Sequence, residues 1–153
     1  MIQRYTGEQA ELQTQQLATF SVHGLFFGIE VLKVQEVLRY LEMTRVPLAP
    51  GVIEGLINLR GQIVTAIDMR QRLALPQRAP GDMPMNIVVR SEDGAVSLLV
   101  DEIGDVLEMN ENSYEPVPDN LPRAQKELIS GVYKLDKNLL LVLNTEQVLQ
   151  LQY

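Results

Sequence analysis

The stretch that decides the fold is VIEGLINLRGQIVTAIDMRQRL, residues 52–73. Two apolar runs, GLINL and IVTAID, flank a short turn that contains Arg60 and Gly61. Apolar runs on both sides of a glycine-containing turn are typical of a β-hairpin. Asp68 ends the second run and is a good N-cap for a short helix over MRQRLAL. The stretch therefore predicts a strand, a tight turn, a second strand and a short helix.

The same plan recurs near the C terminus. Residues 128–149, LISGVYKLDKNLLLVLNTEQVL, align without gaps with residues 52–73, so that Gly55 meets Gly131 and Asp68 meets Asn144. Upstream, VQEVL (34–38) resembles IGDVL (103–107), and TRVP (44–47) resembles EPVP (115–118). Three blocks in the same order predict a duplicated all-β fold. Each half would be a small barrel of short strands, stabilised by packing on its twin.

Two further hairpins and one ambiguous segment complete the plan. LATFSVHGLFFGIE (17–30) turns at His23-Gly24, and IVVRSEDGAVSLLVDE (87–102) turns at Asp93-Gly94. Residues 31–44 show helical spacing of apolar residues, but their counterpart in the second copy contains Gly104, a poor residue for a helix interior. We therefore predict a helical turn near residues 31–36 and a strand from about 37 to 44.

Composition predicts the boundaries of the two halves. Residues 1–16 are Gln-rich and lack periodicity, which predicts a flexible N-terminal tail. Residues 76–86, PQRAPGDMPMN, contain three prolines and a glycine and predict a connecting loop. The first barrel would span about residues 17–75, and the second barrel with a C-terminal helix about residues 87–153. The repeat also allows strands to be exchanged between the halves.

Charge and residue types argue against several classes of function. The chain has 153 residues, a net charge of −7, no cysteine and no tryptophan. The scattered basic residues and missing aromatic face oppose nucleic-acid binding. The apolar runs are far shorter than the about 20 residues of a membrane span. No cysteine means no disulfide and no thiolate metal site, and this composition fits a reducing, cytoplasmic setting.

Candidate catalytic groups are isolated. His23 is the single histidine and is expected to be a turn residue, and we expect no metal or cofactor. Four carboxylates, Asp101, Glu102, Asp105 and Glu108, fit a solvated acidic edge better than a paired-acid site or a hard-cation site. On residue type alone, Arg60 fits a solvated turn residue better than a binding residue, since arginines are common in turns. Residue types alone thus predict a non-catalytic binding module, with a ligand- or nucleic-acid-binding OB- or SH3-like module as an alternative.

The chain resembles the CheW-type coupling (adaptor) proteins of bacterial chemotaxis. The resemblance rests on FGIEVLKVQEVL (27–38), TRVP (44–47), residues 52–73, LLVDEIGDVLEM (98–109) and residues 129–149. It implies one CheW-like domain over residues 17–153, built from two packed SH3-like five-stranded barrels with short helices. It also implies a protein that is monomeric in isolation, has no enzymatic activity and does not insert into the membrane.

The family's function implies the partners and the site. Its members join the cytoplasmic tips of methyl-accepting chemotaxis receptors to the histidine kinase CheA, and alternate with the regulatory domain of CheA in array rings at the inner face of the membrane. The family's receptor-contact positions correspond to Val34, Glu36 and Arg60, while Thr44 and Gly55 correspond to positions near partner surfaces. We expect Arg60 to pair with a receptor carboxylate and Glu36 with a receptor lysine or arginine.

One departure and one alternative accompany this expectation. The second copy has KLDKN where the first has NLRGQ, so the receptor-type turn occurs in the first copy alone. A coupling protein of a related chemosensory pathway, such as surface sensing or twitching motility, would carry the same residues.

Overall fold

The computed structural model describes residues 13–151 and is built almost entirely from β-strands. The strands of this range are β1 (Thr14–Val22), β2 (Leu25–Glu30), β3 (Val34–Leu38), β4 (Ile53–Leu59), β5 (Gln62–Asp68), β6 (Met85–Ser91), β7 (Gly94–Val100), β8 (Glu102–Asn110), β9 (Ile129–Lys134) and β10 (Leu139–Leu143). The short helices are α1 (Met69–Arg72), α2 (Arg123–Lys126) and α3 (Thr145–Leu149). Turns of 3-10 helix cover Val31–Lys33 and Glu111–Ser113.

The strands form two five-stranded sheets, each an SH3-like barrel. Barrel 1 has the order β3-β6-β7-β5-β4, and barrel 2 has the order β8-β1-β2-β10-β9. In the repeat, β3 to β5 correspond to β8 to β10, and β6 and β7 correspond to β1 and β2. With these replacements the strand order of barrel 1 becomes that of barrel 2. The parallel pair β5 with β7 likewise corresponds to the parallel pair β10 with β2. The predicted all-β, twofold repeated fold is therefore confirmed.

Each barrel takes strands from both halves of the chain. Barrel 2 contains the β1–β2 hairpin and strands β8 to β10, whereas barrel 1 contains the β6–β7 hairpin and strands β3 to β5. The barrels therefore do not coincide with the predicted ranges of about 17–75 and 87–153. The hairpins are exchanged, since β2 pairs in parallel with β10 and β7 pairs in parallel with β5.

Two predicted boundaries shift because of long-range pairing. Residues 1–12 of the predicted tail lie outside the described residues. Its last residues, Thr14 to Gln16, belong to β1 because they pair with Asn110 to Glu108 of β8. The predicted connecting loop ends at Pro84, since Met85 and Asn86 already pair with β7.

The segment predicted as a helical turn over 31–36 and a strand over 37–44 is also corrected. The turn is limited to Val31–Lys33, and β3 covers Val34–Leu38. Pairing of Val34 with Val89 of β6 starts the strand early. The strand ends at Leu38. The carbonyl of the following residue, Arg39, accepts a 3.0 Å hydrogen bond from the side-chain amide of the buried Asn86 instead of a strand partner.

The main hydrophobic core joins the two barrels. Buried residues of barrel 2, among them Phe20, Phe27 and Ile29, form one cluster with buried residues of barrel 1 such as Ile67 and Leu98. The rings of Phe20 and Phe27 stack at 5.7 Å between centroids. Smaller clusters fill each barrel separately. Because the largest apolar cluster includes both barrels, each barrel depends on the other for burial.

Candidate functional site

A tight turn presents Arg60 at the end of the β4–β5 hairpin. Leu59 pairs with Gln62, so Arg60 and Gly61 alone form the connection. Their φ angles are 53° and 86°, the left-handed values that a type I′ turn requires at both central positions. The side-chain oxygen of Asn58 accepts a 2.9 Å hydrogen bond from the backbone N–H of Gly61. The turn is thereby fixed both by strand pairing and by a side chain.

Arg60 forms a two-point ion pair with Glu36 of β3. Nη1 of Arg60 donates to Oε1 of Glu36 at 3.2 Å, and Nη2 donates to Oε2. Hydrogen bonding to Arg60 lowers the pKa of Glu36, and the same contact raises the pKa of Arg60. The side chain of Arg60 remains 66% exposed, against 21% for Glu36. An ion pair this open to solvent contributes little to stability, so its main effect is to orient the guanidinium.

A β-bulge places Glu36 for this contact. Val34 of β3 lies opposite Val89 of β6, and Glu36 lies opposite Val88, so Gln35 is the extra residue. Val34 is half-buried and packs against the main core. An extra residue in one strand re-aims the side chains that follow it. Val34 and Glu36 therefore have different surroundings, one against the core and one at the surface.

Thr44 and Gly55 lie together where the chain crosses β4 after leaving β3. Thr44 and Leu56 exchange backbone hydrogen bonds of 2.9 and 2.8 Å. A Cβ atom on Gly55 would lie 2.7 Å from the carbonyl oxygen of Thr44, so this crossing requires glycine. The crossing recurs in barrel 2, where Glu115 bridges to Val132 beside Gly131. It belongs to the architecture of both barrels.

The predicted site residues thus fall into two contacts. Arg60 and Glu36 touch each other, which differs from the expectation that each waits for a separate receptor group. Thr44 and Gly55 form the second contact. Val34 lies on the same strand as Glu36. Two large apolar side chains adjoin the ion pair along the chain, Val37 at 41% exposure and Ile63 at 61% exposure.

Barrel 2 has a different loop at the equivalent place. Its strands β9 and β10 are joined by residues 135–138, and Leu135 donates to the carbonyl of Asn138 at 2.9 Å. In the alignment, Glu36 corresponds to Asp105 and Arg60 to Asp136. Two aspartates cannot form the ion pair of barrel 1. The charged turn is therefore specific to one of the two copies.

Sequence reasoning missed an ion cluster centred on Asp101. Nε and Nη2 of Arg70 donate to its carboxylate at 3.0 and 2.6 Å, and Arg78 donates at 3.2 Å. The backbone N–H of His23 donates to the same group at 2.7 Å. The prediction of a solvated acidic edge is wrong for Asp101, whose side chain is 18% exposed, although Glu102, Asp105 and Glu108 are exposed. No local signal connects residues so far apart in sequence.

The electrostatics of Asp101 follow from its partners. Burial by itself would raise its pKa, but the hydrogen bonds from Arg70 and His23 and the charge of Arg78 outweigh burial and lower the pKa. The cluster joins the β1–β2 turn, helix α1 and the connecting loop at the junction of β7 and β8. It holds these elements together, since Asp101 accepts from all three and Nη1 of Arg70 also donates to the carbonyls of Pro76 and Gln77 in the connecting loop.

The remaining chemistry is limited. Within residues 13–151, no group of three or more histidine and carboxylate side chains is placed to hold a metal ion. No helix in this range is long and apolar enough to cross a membrane. His23 lies in the β1–β2 turn with φ of 51°, as its sequence context predicts.

Known proteins resemble this chain in sequence and in architecture. Residues 16–152 match the family model described as CheW-like domain. The chain is 32% identical to the chemotaxis protein CheW of Bacillus subtilis, over 92% of this chain and 90% of that protein. It is 30% identical to the chemotaxis protein CheW of Klebsiella aerogenes, over 88% of this chain and 81% of that protein.

A solved structure agrees with these sequence matches. The scaffolding protein TtCheW from Thermoanaerobacter tengcongensis superposes with a TM-score of 0.81 at 26% identity, covering 92% of this chain and 95% of that one. Fold, length and sequence all point to the same family. The chain belongs to the CheW family, the non-enzymatic scaffold proteins of chemotaxis.

Proposed function

We propose that this protein couples the cytoplasmic tips of methyl-accepting chemotaxis receptors to the histidine kinase CheA, and that barrel 1 contacts the receptor through Arg60 and Glu36. The observation that carries the proposal is the two-point ion pair on a rigid type I′ turn, present in one copy of a duplicated fold and replaced by aspartates in the other. A difference between copies that share one architecture is best explained by a partner that only one copy meets.

Exposure and hydrogen bonding support different roles for the two charged residues. A guanidinium has five N–H donors, of which Glu36 receives two. The other donors of Arg60 have no hydrogen-bond partner within residues 13–151, and the side chain is largely exposed. Arg60 is therefore the group that meets a receptor carboxylate. Glu36 first orients Arg60 and then offers its remaining lone pairs to a receptor lysine or arginine at the edge of the contact.

The apolar neighbours supply the rest of the contact. A receptor tip is expected to be a bundle of antiparallel helices with an apolar seam bordered by charges. Ile63, an exposed residue three positions after Arg60, would bury against that seam, while the ion pair fixes register and partner choice. Val34, which lies on the same strand as Glu36 and packs partly against the core, would complete the receptor contact, and Thr44 with Gly55 would support β4 close to that surface.

The proposal includes the cellular setting. The protein would be a monomer in isolation, act in the cytoplasm and be recruited to the inner face of the membrane by receptors. There it would alternate with the regulatory domain of CheA in rings. The names of the relatives, chemotaxis protein CheW, support a place in chemotaxis. Holding receptor and kinase in one geometry needs no catalytic group.

Reversal of the charge at Arg60 tests the proposal. We expect Arg60→Asp to leave the circular dichroism spectrum unchanged and to weaken co-sedimentation with receptor-containing membranes by about 2–4 kcal/mol. Lys137→Asp, the same charge change in the exposed loop of barrel 2, is the matched control and should bind like the parent. Reconstitution with receptor and CheA should lose receptor control of kinase activity only in the Arg60 variant. Unchanged sedimentation of Arg60→Asp would remove this residue from the interface.

A further inference from the structure

We propose that Asn58 is a positioning residue for the receptor contact, because its side-chain oxygen holds the turn that aims Arg60. The inference rests on the proposed function and adds to it a residue that need not touch the partner. Asn58 is an exposed residue near the end of β4, so its role is not that of a core residue. Its hydrogen bond to the N–H of Gly61 is 2.9 Å long.

The turn needs such support because of the residue it carries. Both central residues of a type I′ turn take positive φ, which Asn, Asp and Gly adopt most readily. Gly61 fits this requirement, but Arg60 is held at φ of 53° although its side chain disfavours that region. The hydrogen bond from Gly61 to Asn58 favours the strained turn over other conformations of the loop. Without it, the guanidinium would sample positions away from Glu36.

Barrel 2 shows what the hairpin becomes without these residues. Lys134 occupies the place of Asn58, and an ammonium group cannot accept a hydrogen bond. The hairpin has the same number of residues, but its ladder already ends at Lys134 and Leu139, and residues 135–138 form a more open turn with a backbone hydrogen bond from Leu135 to Asn138. Among the described residues, positive φ at non-glycine positions is confined to His23, Leu48, Arg60 and Ala74. The side-chain acceptor, the tight turn and the ion pair thus occur together in one copy and are replaced together in the other.

Two other roles for Asn58 make different predictions. If Asn58 contacts the receptor through an interaction of its own, its loss should weaken binding further in a chain that already lacks Arg60. If Asn58 only stabilises the barrel, its loss should lower the unfolding temperature without a selective effect on binding. If Asn58 acts through Arg60, its loss should have no further effect once Arg60 is absent.

A double-mutant cycle on the full chain separates these roles. The variants are Asn58→Ala, Arg60→Ala and the double variant, measured for co-sedimentation with receptor-containing membranes. We expect Asn58→Ala to weaken binding about fivefold, the equivalent of one net hydrogen bond. We expect the double variant to bind like Arg60→Ala. Asn58→Asp keeps the acceptor but adds a charge beside Arg60, so its readout is the state of the turn and not the binding.

Amide exchange of Gly61 reports the turn independently of the receptor. Exchange should become faster in Asn58→Ala and stay slow in Asn58→Asp, while the unfolding temperature changes little. Asn58→Lys, which places the residue of barrel 2 in barrel 1, is a second variant without the acceptor in case Asn58→Ala does not fold. It should reproduce the faster exchange, which is the readout for this variant because its ammonium group adds a charge of its own at the contact.

The outcomes distinguish this inference from the proposed function. If Arg60→Ala binds like the parent, the proposed receptor contact is wrong and the inference is wrong with it. If Arg60→Ala binds weakly but Asn58→Ala binds like the parent, or if their losses add, the contact stands and the positioning role of Asn58 is wrong. Slow exchange of Gly61 in both acceptor-free variants would also overturn the inference.

Discussion

Glu36 and Arg60 join the two edges of barrel 1. Glu36 belongs to β3, one edge strand of the sheet, and Arg60 follows β4, the other edge strand. Their two parallel hydrogen bonds therefore cross the open side of the barrel. Behind them, Leu38 and Leu41 pack against Leu59, so that an apolar contact and a charged contact close the same side. Both contacts therefore hold the place that is proposed to meet the receptor.

Exchanging the two charges separates pairing from recognition. The double change Glu36→Arg with Arg60→Glu keeps an ion pair across the barrel but reverses its polarity. We expect the free energy of unfolding to stay close to that of the parent, because an ion pair this open to solvent contributes little to stability. Receptor binding should remain weakened by about 2–4 kcal/mol, since a receptor carboxylate would then face a second carboxylate at the turn instead of a guanidinium. If the double variant binds like the parent in co-sedimentation, the presence of an ion pair determines receptor binding and its polarity does not.

Gly55 should tolerate no side chain. In Gly55→Ala the new methyl group would lie 2.7 Å from the carbonyl oxygen of Thr44, a backbone atom that cannot move without breaking the bridge to Leu56. We expect a loss of about 1–3 kcal/mol in the free energy of unfolding, measured by urea denaturation.

Gly51→Ala is the matched control for this substitution. Its methyl group would meet the side-chain oxygen of Gln71 at 2.9 Å, the far end of a flexible side chain. We expect a change below about 0.5 kcal/mol, because Gln71 can move aside. Equal stabilities of the two variants would contradict the close crossing of Thr44 and Gly55.

Asp101 should be important for stability although it lies outside the proposed contact. Asp101→Asn removes the charge that Arg70 and Arg78 share, and both arginine side chains are largely buried. We expect a loss of about 2–3 kcal/mol in thermal or urea unfolding, the range for hydrogen bonds to charged groups. Glu102→Gln, an equal change at the exposed neighbouring residue, should cost less than about 0.5 kcal/mol. A stable Asp101→Asn protein would show that the cluster is dispensable.

The same cluster predicts how stability depends on pH. The partners of Asp101 lower its pKa in the folded protein. A carboxylate with a lowered pKa stabilises the fold fully above its unfolded pKa of about 4, and this stability is lost as the pH falls through the folded pKa. Glu36 acts in the same direction through Arg60.

Urea midpoints measured from roughly pH 6 to pH 3 should therefore decrease, because both carboxylates bind protons more readily in the unfolded chain. The decrease should be shallower in Asp101→Asn, which has no carboxylate to protonate at that place, and also in Glu36→Gln. An identical pH profile in the parent and in Asp101→Asn would contradict the lowered pKa of this group.

Local patterns in the sequence were enough to predict the elements and the repeat. Apolar runs and turn residues define each hairpin within a few residues, and the two aligned helix caps act alike: Asp68 accepts from the N–H of Arg70, and Asn144 from the N–H of Gln147. These features depend on neighbours in the chain. The place of Arg60 at a turn was likewise predictable from Gly61 and the flanking strands.

Features that depend on distant partners were not predictable in the same way. The β-bulge at Gln35 carries no glycine to mark it, and only the register of β3 against β6 reveals it. The contact of Glu36 with Arg60 requires the barrel to close, and the cluster at Asp101 requires three separate segments to meet. The spacing of these residues along the chain reveals neither the ion pair nor the cluster. Arg60 was therefore expected to have no partner within the chain, and Asp101 was expected to be solvated.

The exchanged hairpins have a consequence for how the polypeptide can be divided. A backbone cut within residues 77–84 would separate β1–β5 from β6–β10, and each fragment would then hold pieces of both barrels but complete neither. Neither fragment is a self-sufficient folding unit, yet together they contain every strand pair. Mixing the two should rebuild the parent architecture, which makes this loop a natural place to split the protein into a pair of complementing reporters.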